Sequence, residues 1–303
     1  MHNRAILIAG PTASGKTALA LKLAKEINGA IINADSMQVY RDLRILTARP
    51  TPEEEASLPH FLFGHVDASE NYSVGRWITD LSRILNELKE TTQTPILVGG
   101  TGLYFKSALL GMSEIPHVPE AIRSEIRRQA AGKDAQTLHA QLTLLDPDTA
   151  EKLKPSDPQR ILRALEVFVA TGKPLVSYQG PRAKSALESL NCAAFFLSPD
   201  RDQLRKRIEC RFDEMMAEGA LEEAQALDRR RLDPSLPCMR AHGVPHLIDC
   251  LNAKSSLAES IERAKGDTRR YTKRQFTFAR HQLLDFSWLA PEGALDEILG
   301  QLL

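Results

Sequence analysis

The stretch ILIAGPTASGKTAL, residues 6–19, decides the fold class of this chain. Its central part matches the pattern G-x-x-x-x-G-K-[ST] in full, after an apolar run typical of a buried strand and before a predicted helix. In such a loop the backbone N–H groups and the helix N-terminus point at phosphate oxygens. The predicted phosphate-binding residues are Gly10, Pro11, Thr12, Ala13, Ser14, Gly15, Lys16 and Thr17. The Thr17 hydroxyl is the predicted ligand for Mg²⁺.

Short apolar runs alternate with helical patterns around this loop. The predicted strands cover residues 5–9, 30–34, 95–99 and 193–197. The helices predicted after the first two strands cover residues 16–27 and 75–90, and in the second Trp77, Leu81, Leu85 and Leu88 recur at helical spacing. This alternation favours an α/β fold, a P-loop NTPase-like core in which a parallel sheet is flanked by helices.

The pattern changes between residues 115 and 190. This region is rich in charge, contains helical runs at 121–131 and 159–171, and has no convincing strand. We therefore expect a helical insertion domain at 115–190, within a core formed by 1–114 and 191–303. From Arg201 onward the sequence is helical almost throughout.

Composition limits the class of protein. Lys plus Arg equals Asp plus Glu at 39 each, so a nucleic-acid site has to appear as local clustering of charge. The four cysteines are widely spaced, which indicates neither a zinc site nor a disulfide framework. The apolar runs are too short for a bilayer span or a signal peptide. We expect a cytoplasmic protein without membrane attachment, and a monomer because no heptad pattern is present.

A carboxylate follows the second predicted strand. P-loop ATPases usually carry an acid that holds the metal at the end of a neighbouring strand, but the strand at 95–99 leads into Gly100 and Thr101. Asp35 instead follows the strand at 30–34, where strand ends form a ligand crevice in open α/β sheets. Asp35 can serve there as a general base. The pattern favours group transfer over nucleotide hydrolysis.

Six segments, in this order, resemble the bacterial tRNA dimethylallyltransferase (tRNA isopentenyltransferase) family. They are GPTASGKT (10–17), ADSMQVYRDLRILTARP (34–50), LVGGTGLYFKSALLG (97–111), DPQRILRALEVFVATGKPL (157–175), RIECRFDEMMAEG (207–219) and TKRQFTFAR (272–280). The resemblance implies transfer of a dimethylallyl group from dimethylallyl diphosphate to N6 of the adenosine 3′-adjacent to the anticodon in tRNA. It also implies release of diphosphate and a requirement for Mg²⁺.

The resemblance implies roles for single residues. The catalytic set that it implies is Asp35, Lys16, Thr101, Arg123 and Arg211. Asp35 would be the base, Lys16 and Arg211 would contact diphosphate, Thr101 would lie near acceptor and diphosphate, and Arg123 would lie at the reaction channel. Arg207 lies four residues before Arg211, a spacing suited to paired phosphate contacts on one helix face.

The acceptor base of a stacked anticodon loop has to be extruded before N6 can react. Residues 263–280 contain seven Lys/Arg and one acid, Asp267, which indicates a basic helix face for RNA phosphates. The residues predicted to contact the tRNA anticodon stem-loop are Asp35, Ser36, Met37, Gln38, Thr101, Arg123, Gln159, Arg160, Ile161, Leu162, Arg163, Arg240, His242, Lys273, Arg274, Gln275, Phe278 and Arg280. The chain departs from its relatives at Gly243-Val244-Pro245, where they usually carry Gly-Tyr-Arg or Gly-Tyr-Lys, and at Phe278, where a relative carries Trp.

Three alternatives remain open at this point. A relative that prenylates free AMP or ADP would need neither the helical insertion nor the basic helix. A nucleotide or small-molecule kinase is disfavoured by the missing strand-end acid. An RNA-binding protein that had lost catalysis would not need Lys16, Thr17 and Asp35.

Overall fold

The computed structural model describes residues 4–180 and 182–302. Within these residues six parallel strands form one sheet in the order β3-β2-β4-β1-β5-β6. The strands are β1 (Arg4–Ala9), β2 (Gly29–Asn33), β3 (His60–Phe61), β4 (Thr94–Gly99), β5 (Asn191–Leu197) and β6 (Ser287–Leu289).

Helices surround the sheet and continue into the insertion. They are α1 (Lys16–Ile27), α2 (Pro52–Ser57), α3 (Val74–Lys89), α4 (Gly102–Leu110), α5 (Glu120–Ala130), α6 (Ala135–Leu145), α7 (Pro147–Lys152), α8 (Pro158–Thr171), α9 (Arg201–Ala217), α10 (Ala220–Arg229), α11 (Val244–Leu251), α12 (Leu257–Gln282) and α13 (Ala294–Leu302). Short 3₁₀ helices lie at Leu175–Tyr178 and Cys238–Arg240. No helix in the described parts of the chain is both long and apolar enough to cross a membrane.

The sheet divides the core into two apolar layers. Along β1, Leu7 packs into the layer that contains Trp77 of α3, whereas Ile6 and Ile8 pack into the layer that contains Leu23 of α1. Both faces of β1 are therefore covered, which explains why its sequence is an unbroken apolar run rather than an alternating one.

The predicted α/β fold is confirmed, and the four predicted strands lie within one residue or two of the observed ones. The edge strands β3 and β6 were not predicted. They contain two and three residues, too few to show a side-chain period.

The chain divides into two compact units. One contains the sheet and runs through Leu109 and again from Ala186, and the other is Leu110–Ser185. The sequence predicted these divisions a few residues later, at 115 and 191. The second unit is helical, and its apolar core includes Leu142 of α6 and Leu165 of α8.

The strand order places the segments that leave three of the strands next to one another, at the carboxyl ends of the strands. The segments that follow β2, β4 and β1 are neighbours there, because β4 lies between the other two strands. At these carboxyl ends β2 and β4 lie so close together that a Cβ atom on Gly99 would be 2.1 Å from the carbonyl oxygen of Ala34. Only glycine fits at this position without displacement of the residues that lead into Asp35.

We expect Gly99→Ala to lower the free energy of unfolding by about 1–3 kcal/mol, because the end of β2 has to move to admit the methyl group. Urea denaturation would measure the change. Gly75→Ala is the matched control, since a Cβ there would meet only the Ser73 hydroxyl at 3.7 Å. Equal unfolding midpoints for the two variants would contradict the steric argument.

Candidate active site

The predicted phosphate loop joins β1 to α1. Its backbone turns through left-handed conformations at Ala13 (φ 64°) and Gly15 (φ 90°), the second of which is the N-cap of α1. The Ser14 N–H donates to the Pro11 carbonyl at 3.3 Å. Gly15 suits its position because a left-handed backbone strains residues that carry a Cβ atom. The loop therefore has the strand–turn–helix form that the sequence predicted.

Lys16 lies at the start of α1 with its side chain against the loop. Its Nζ donates to the Pro11 carbonyl at 2.6 Å. Burial lowers the pKa of Lys16 to about 7; the Asp35 carboxylate opposes this shift and the Arg211 guanidinium adds to it. The Ser14 side chain is fully buried, and its Oγ has no hydrogen-bond partner among the described residues. The loop therefore holds a titratable cation and an unpaired hydroxyl, both able to contact an anion.

Asp35 follows β2 and is held by a buried asparagine. The Asn33 Nδ2 donates to the Asp35 carbonyl at 2.9 Å, and the Asn33 Oδ1 accepts from the Asp35 N–H at 2.8 Å. Asn33 is 0% exposed, and its own carbonyl accepts from Trp77 Nε1 at 2.8 Å. The Asp35 Oδ1 accepts from the Met37 N–H at 2.9 Å. The backbone and one oxygen of Asp35 are thus fixed, and Oδ2 is the oxygen left to act on a ligand.

The sequence analysis did not single out Asn33. The feature of the sequence that could have identified it is a polar residue within the apolar run AIINA (30–34), which overlaps β2. A buried amide in such a run has to be hydrogen-bonded, and here its partners are the backbone groups of the acid two residues later and the Leu62 carbonyl.

Thr101 ties the end of β4 to the end of β2. Its Oγ1 accepts from the Ser36 N–H at 2.9 Å and donates to the Ser36 Oγ at 3.2 Å, while its N–H donates to the Ala34 carbonyl at 3.2 Å. Tyr271 of α12, which was not predicted from the sequence, lies beside the Thr101 hydroxyl. Burial raises the pKa of Tyr271, so its hydroxyl stays protonated.

A cavity of about 200 Å³ opens over these strand ends. Its lining residues are Thr12, Asp35, Ser36, Met37, Leu46, Thr47, Ile208, Arg211, Phe212, Met215, Arg240, Ala241, His242, Thr268, Tyr271 and Arg274. The loop, the predicted base and several predicted RNA contacts are therefore brought together in one place.

Helix α9 gives the cavity both a cation and an apolar wall. Ile208, Arg211, Phe212 and Met215 follow one another at helical spacing and share the face that lines the cavity. A ligand whose anionic end contacts Arg211 therefore has apolar side chains on either side of that contact. The sequence analysis identified the arginine but not the apolar residues beside it.

Arg211 and Arg207 have different surroundings. Burial lowers the pKa of Arg211, while the carboxylates of Asp35, Glu214 and Glu218 act in the opposite direction. Arg207 forms an ion pair with Glu292 at 3.6 Å and is not among the residues that line the cavity. Of the two arginines that share this spacing, only Arg211 therefore lines the cavity.

Comparison with known proteins identifies the family. A sequence profile described as IPP transferase matches residues 38–282, more than half of the chain. The chain belongs to the IPP transferase family. A second profile, described as isopentenyl transferase, matches residues 3–63 and so includes the phosphate loop.

Relatives that match nearly the whole chain are similar to it in sequence and structure. A tRNA dimethylallyltransferase of Beijerinckia indica is 56% identical over 98% of this chain and 99% of its own length. The tRNA isopentenylpyrophosphate transferase of Bacillus halodurans has a TM-score of 0.70 at 33% identity, and the match covers 99% of this chain and 95% of that one. A eukaryotic dimethylallyltransferase acting on tRNA has a TM-score of 0.78 at 28% identity, over 95% of this chain and 74% of that one.

The residues after Asp35 contribute unequally to the lining of the cavity. Ser36 and Met37 line it. The Gln38 Nε2 donates instead to the carbonyls of Thr47 and Ala48, both at 2.9 Å. Gln38 therefore holds the neighbouring segment in place, while the two residues before it line the cavity.

Arg240 and His242 line the same cavity from the segment before α11. Burial lowers the pKa of His242, against the opposing effect of the Asp267 and Asp35 carboxylates. Its imidazole is therefore neutral above its lowered pKa and can donate one hydrogen bond and accept another. Gly243, the glycine that precedes the departing residues Val244 and Pro245, has a packing reason, because a Cβ there would lie 3.2 Å from the Phe212 ring.

The basic face of α12 is confined to the C-terminal half of that helix. The preceding basic residues, Arg263, Lys265, Arg269 and Arg270, each form an ion pair with a carboxylate of the chain. Lys273, Arg274 and Arg280 are exposed and have no ion pair with any described residue. The Arg280 guanidinium lies over the rings of Phe276 and Trp288, 5.9 and 5.8 Å from their centroids.

Two residues of α12 that were predicted to contact RNA pack inside the sheet-containing unit. Gln275 is 7% exposed, accepts from the Thr12 N–H at 3.0 Å and donates to the Gly100 carbonyl at 2.8 Å. The half-buried Phe278 ring lies so close to Gly102 that a Cβ there would be 2.3 Å away. Both side chains support the strand ends.

The remaining predicted RNA contacts lie in the helical unit. There Arg123, Arg127 and Arg163 surround the buried carboxylate of Glu166, with N···O distances of 3.8, 3.2 and 3.6 Å. Arg123 also pairs with Glu120 at 2.9 Å. Three guanidinium groups share one buried acid, so the cluster keeps excess positive charge.

The segment 159–163 at the start of α8 has two kinds of surroundings. Gln159 and Arg160 are exposed, which suits contact with a partner. Ile161 is fully buried, and Leu162 packs on the same apolar core. Those two side chains hold α8 in the helical unit.

Proposed function

We propose that this chain transfers a dimethylallyl group from dimethylallyl diphosphate to N6 of the adenosine 3′-adjacent to the anticodon in tRNA. One observation carries the proposal: Asp35, with Oδ2 left to act, lines the same cavity as Thr12 of the phosphate loop and Arg211. The full-length relatives named tRNA dimethylallyltransferase support the same reaction.

The phosphate loop and α9 suit the two ends of a prenyl donor. The loop amides, Lys16 and Arg211 would contact diphosphate, and the apolar stripe of Ile208, Phe212 and Met215 would contact the prenyl group. Cleavage of the allylic C–O bond leaves negative charge on diphosphate, and fixed donors stabilise that charge in the transition state. Thr101 fits a supporting role, since its hydroxyl fixes the segment of Ser36 beside the base.

The acceptor half of the reaction needs a base. The N6 lone pair forms the bond to the allylic carbon, the C–O bond breaks with its electrons on diphosphate, and N6 loses one proton. Asp35 Oδ2 would accept that proton, because Oδ1 is engaged by the Met37 N–H. Ser36, Met37, Arg240 and His242 would surround the extruded base.

The chemistry of the loop fits Mg²⁺ as the metal. The described residues contain no group of three or more His, Cys, Asp or Glu side chains able to hold a metal. Mg²⁺ is commonly bound by few protein oxygens together with substrate phosphates and water. Thr17 at the start of α1 would supply that protein oxygen. When bound, Mg²⁺ supplies neutralisation of charge on diphosphate.

The C-terminal half of α12 would contact tRNA phosphates through Lys273, Arg274 and Arg280. We expect Lys273→Ala to weaken tRNA binding and to lower the salt slope of log K by about 0.7–0.9, the contribution of one phosphate contact. Filter binding across a salt series would measure it. Arg263→Ala is the matched control, because Arg263 already pairs with Glu259 on the same helix. Identical slopes for the two variants would assign α12 a solvated rather than an RNA-contacting face.

A transfer experiment with labelled dimethylallyl diphosphate and Mg²⁺ tests the whole proposal. Unmodified tRNA with adenosine next to the anticodon, an anticodon stem-loop and AMP would be offered in parallel. We expect label in the tRNA and the stem-loop only. Label in AMP alone would move the function to free nucleotides, and tRNA binding without any label would overturn the transferase assignment.

A further inference from the structure

We propose that Gln275 couples tRNA contact on α12 to the affinity of the phosphate loop for diphosphate. This inference rests on the proposed function and adds a positioning residue to it. Gln275 touches neither reacting group; it would act through the loop that holds the leaving group.

The contacts of Gln275 join three separate parts of the sheet-containing unit. Its buried amide accepts from the Thr12 N–H in the phosphate loop and donates to the Gly100 carbonyl after β4. A Cβ on Gly100 would lie 2.3 Å from Gln275 Nε2, so the chain leaves just enough room for this side chain. A hydrogen-bonded amide therefore sets the distance between α12 and two adjacent loops.

The neighbouring turns of α12 strengthen this attachment. Tyr271, one turn earlier, lies beside the Thr101 hydroxyl, and the Phe278 ring, one turn later, covers Gly102. These three side chains of α12 share one helix face and all meet the segment Gly100–Gly102 after β4. Among them, Gln275 alone also has a hydrogen bond to the phosphate loop in the described part of the chain.

The proposed RNA contacts lie on the same turns of the helix. Lys273 and Arg274 immediately precede Gln275, and Arg274 also lines the cavity. Phosphates bound by these cations would restrain α12, and the amide of Gln275 would pass that restraint to Thr12. A loop already ordered costs less entropy to close on an anion, so the two ligands would bind with positive cooperativity. Such coupling is reciprocal by thermodynamic necessity.

Equilibrium binding of inorganic diphosphate with Mg²⁺ tests the inference, with and without a saturating anticodon stem-loop. In the wild type we expect the stem-loop to tighten diphosphate binding by about fivefold or more, within the usual range of coupling between sites. Gln275→Met keeps the length of the side chain and removes both hydrogen bonds. It should abolish most of this tightening, while diphosphate affinity without the stem-loop changes far less.

The control is Gln282→Met, the same change on the same helix at an exposed position, which should keep the full tightening. A general structural defect would weaken diphosphate binding equally with and without the stem-loop, and that result would overturn the inference. No tightening in the wild type, or full tightening in Gln275→Met, would overturn it as well. A stem-loop that does not bind at all would instead refute the proposed function from which the inference starts.

A measurement on the wild type covers the case in which Gln275→Met does not fold. Hydrogen exchange of the peptide that contains Thr12 should slow when the stem-loop binds without diphosphate. Unchanged exchange in that peptide would overturn the coupling.

Discussion

Replacing Asp35 by Asn is expected to lower kcat by about 10²–10⁴-fold, the usual contribution of a general base. The Asn side chain can still accept from the Met37 N–H, and its backbone can still be held by Asn33, so the site keeps its shape. Only the ability to take the N6 proton is lost. Single-turnover kinetics with saturating tRNA would measure the rate, and diphosphate binding should change little.

Asp296→Asn is the matched control for this prediction. Asp296 is exposed in the first turn of α13, so the same loss of charge should leave kcat near the wild-type value. If Asp35→Asn retained wild-type kcat, another group would have to be the base.

Replacing Lys16 by Met should have the second large effect. The ammonium would face charge that grows on the leaving group, and loss of one preorganised donor of this kind typically costs about 10²–10³-fold in kcat. We also expect weaker binding of inorganic diphosphate, measured by calorimetry. Lys22→Met, at an exposed position on the same helix, should change neither kcat nor the affinity for diphosphate. Unchanged kcat and diphosphate affinity in Lys16→Met would contradict the role of the loop.

The lowered pKa of Lys16 gives this prediction a pH dependence. The side chain of the free protein is protonated below about pH 7 and loses its charge above it. Diphosphate favours the charged amine, so above pH 7 binding should be accompanied by proton uptake and should weaken as pH rises. Calorimetry in two buffers of different ionisation enthalpy would show the uptake. Lys16→Met serves as the control, because any proton exchange in its binding comes from diphosphate itself. Equal proton uptake by Lys16→Met and the wild type would contradict the lowered pKa of Lys16.

The parts of the site that the sequence predicted are those fixed by local pattern. The motif predicts the loop at 10–17. The position of Asp35 follows from the rule that ligands bind at the carboxyl ends of parallel strands. Asn33 and Tyr271 were not predicted, and Gln275 was predicted only as an RNA contact, because their positions depend on groups brought close by folding. Thr12 and Gln275, for example, are 263 residues apart in the sequence.

The charge pattern of α12 shows the same limit. Seven basic residues in 263–280 predicted one basic face, but a sequence does not show which cations meet an acid of another helix. Arg269 is neutralised by Glu209 of α9 and Lys265 by Asp213, whereas Lys273 and Arg280 have no such partner among the described residues. The order of the strands was also beyond the pattern, since β1 and β2 are separated by β4, which comes later in the chain.

The hydrogen bonds between Asn33 and Asp35 have a consequence for redesign of the proposed binding site for the acceptor base. The hydrogen bonds that fix Asp35 come from the Asn33 side chain and the Met37 N–H, and Ser36 is tied to Thr101 through its N–H as well as its hydroxyl. Most of these bonds do not depend on the side chains at positions 36 and 37. A library randomised at those two positions would therefore sample new base preferences while the proposed proton acceptor, Asp35, stays in its place.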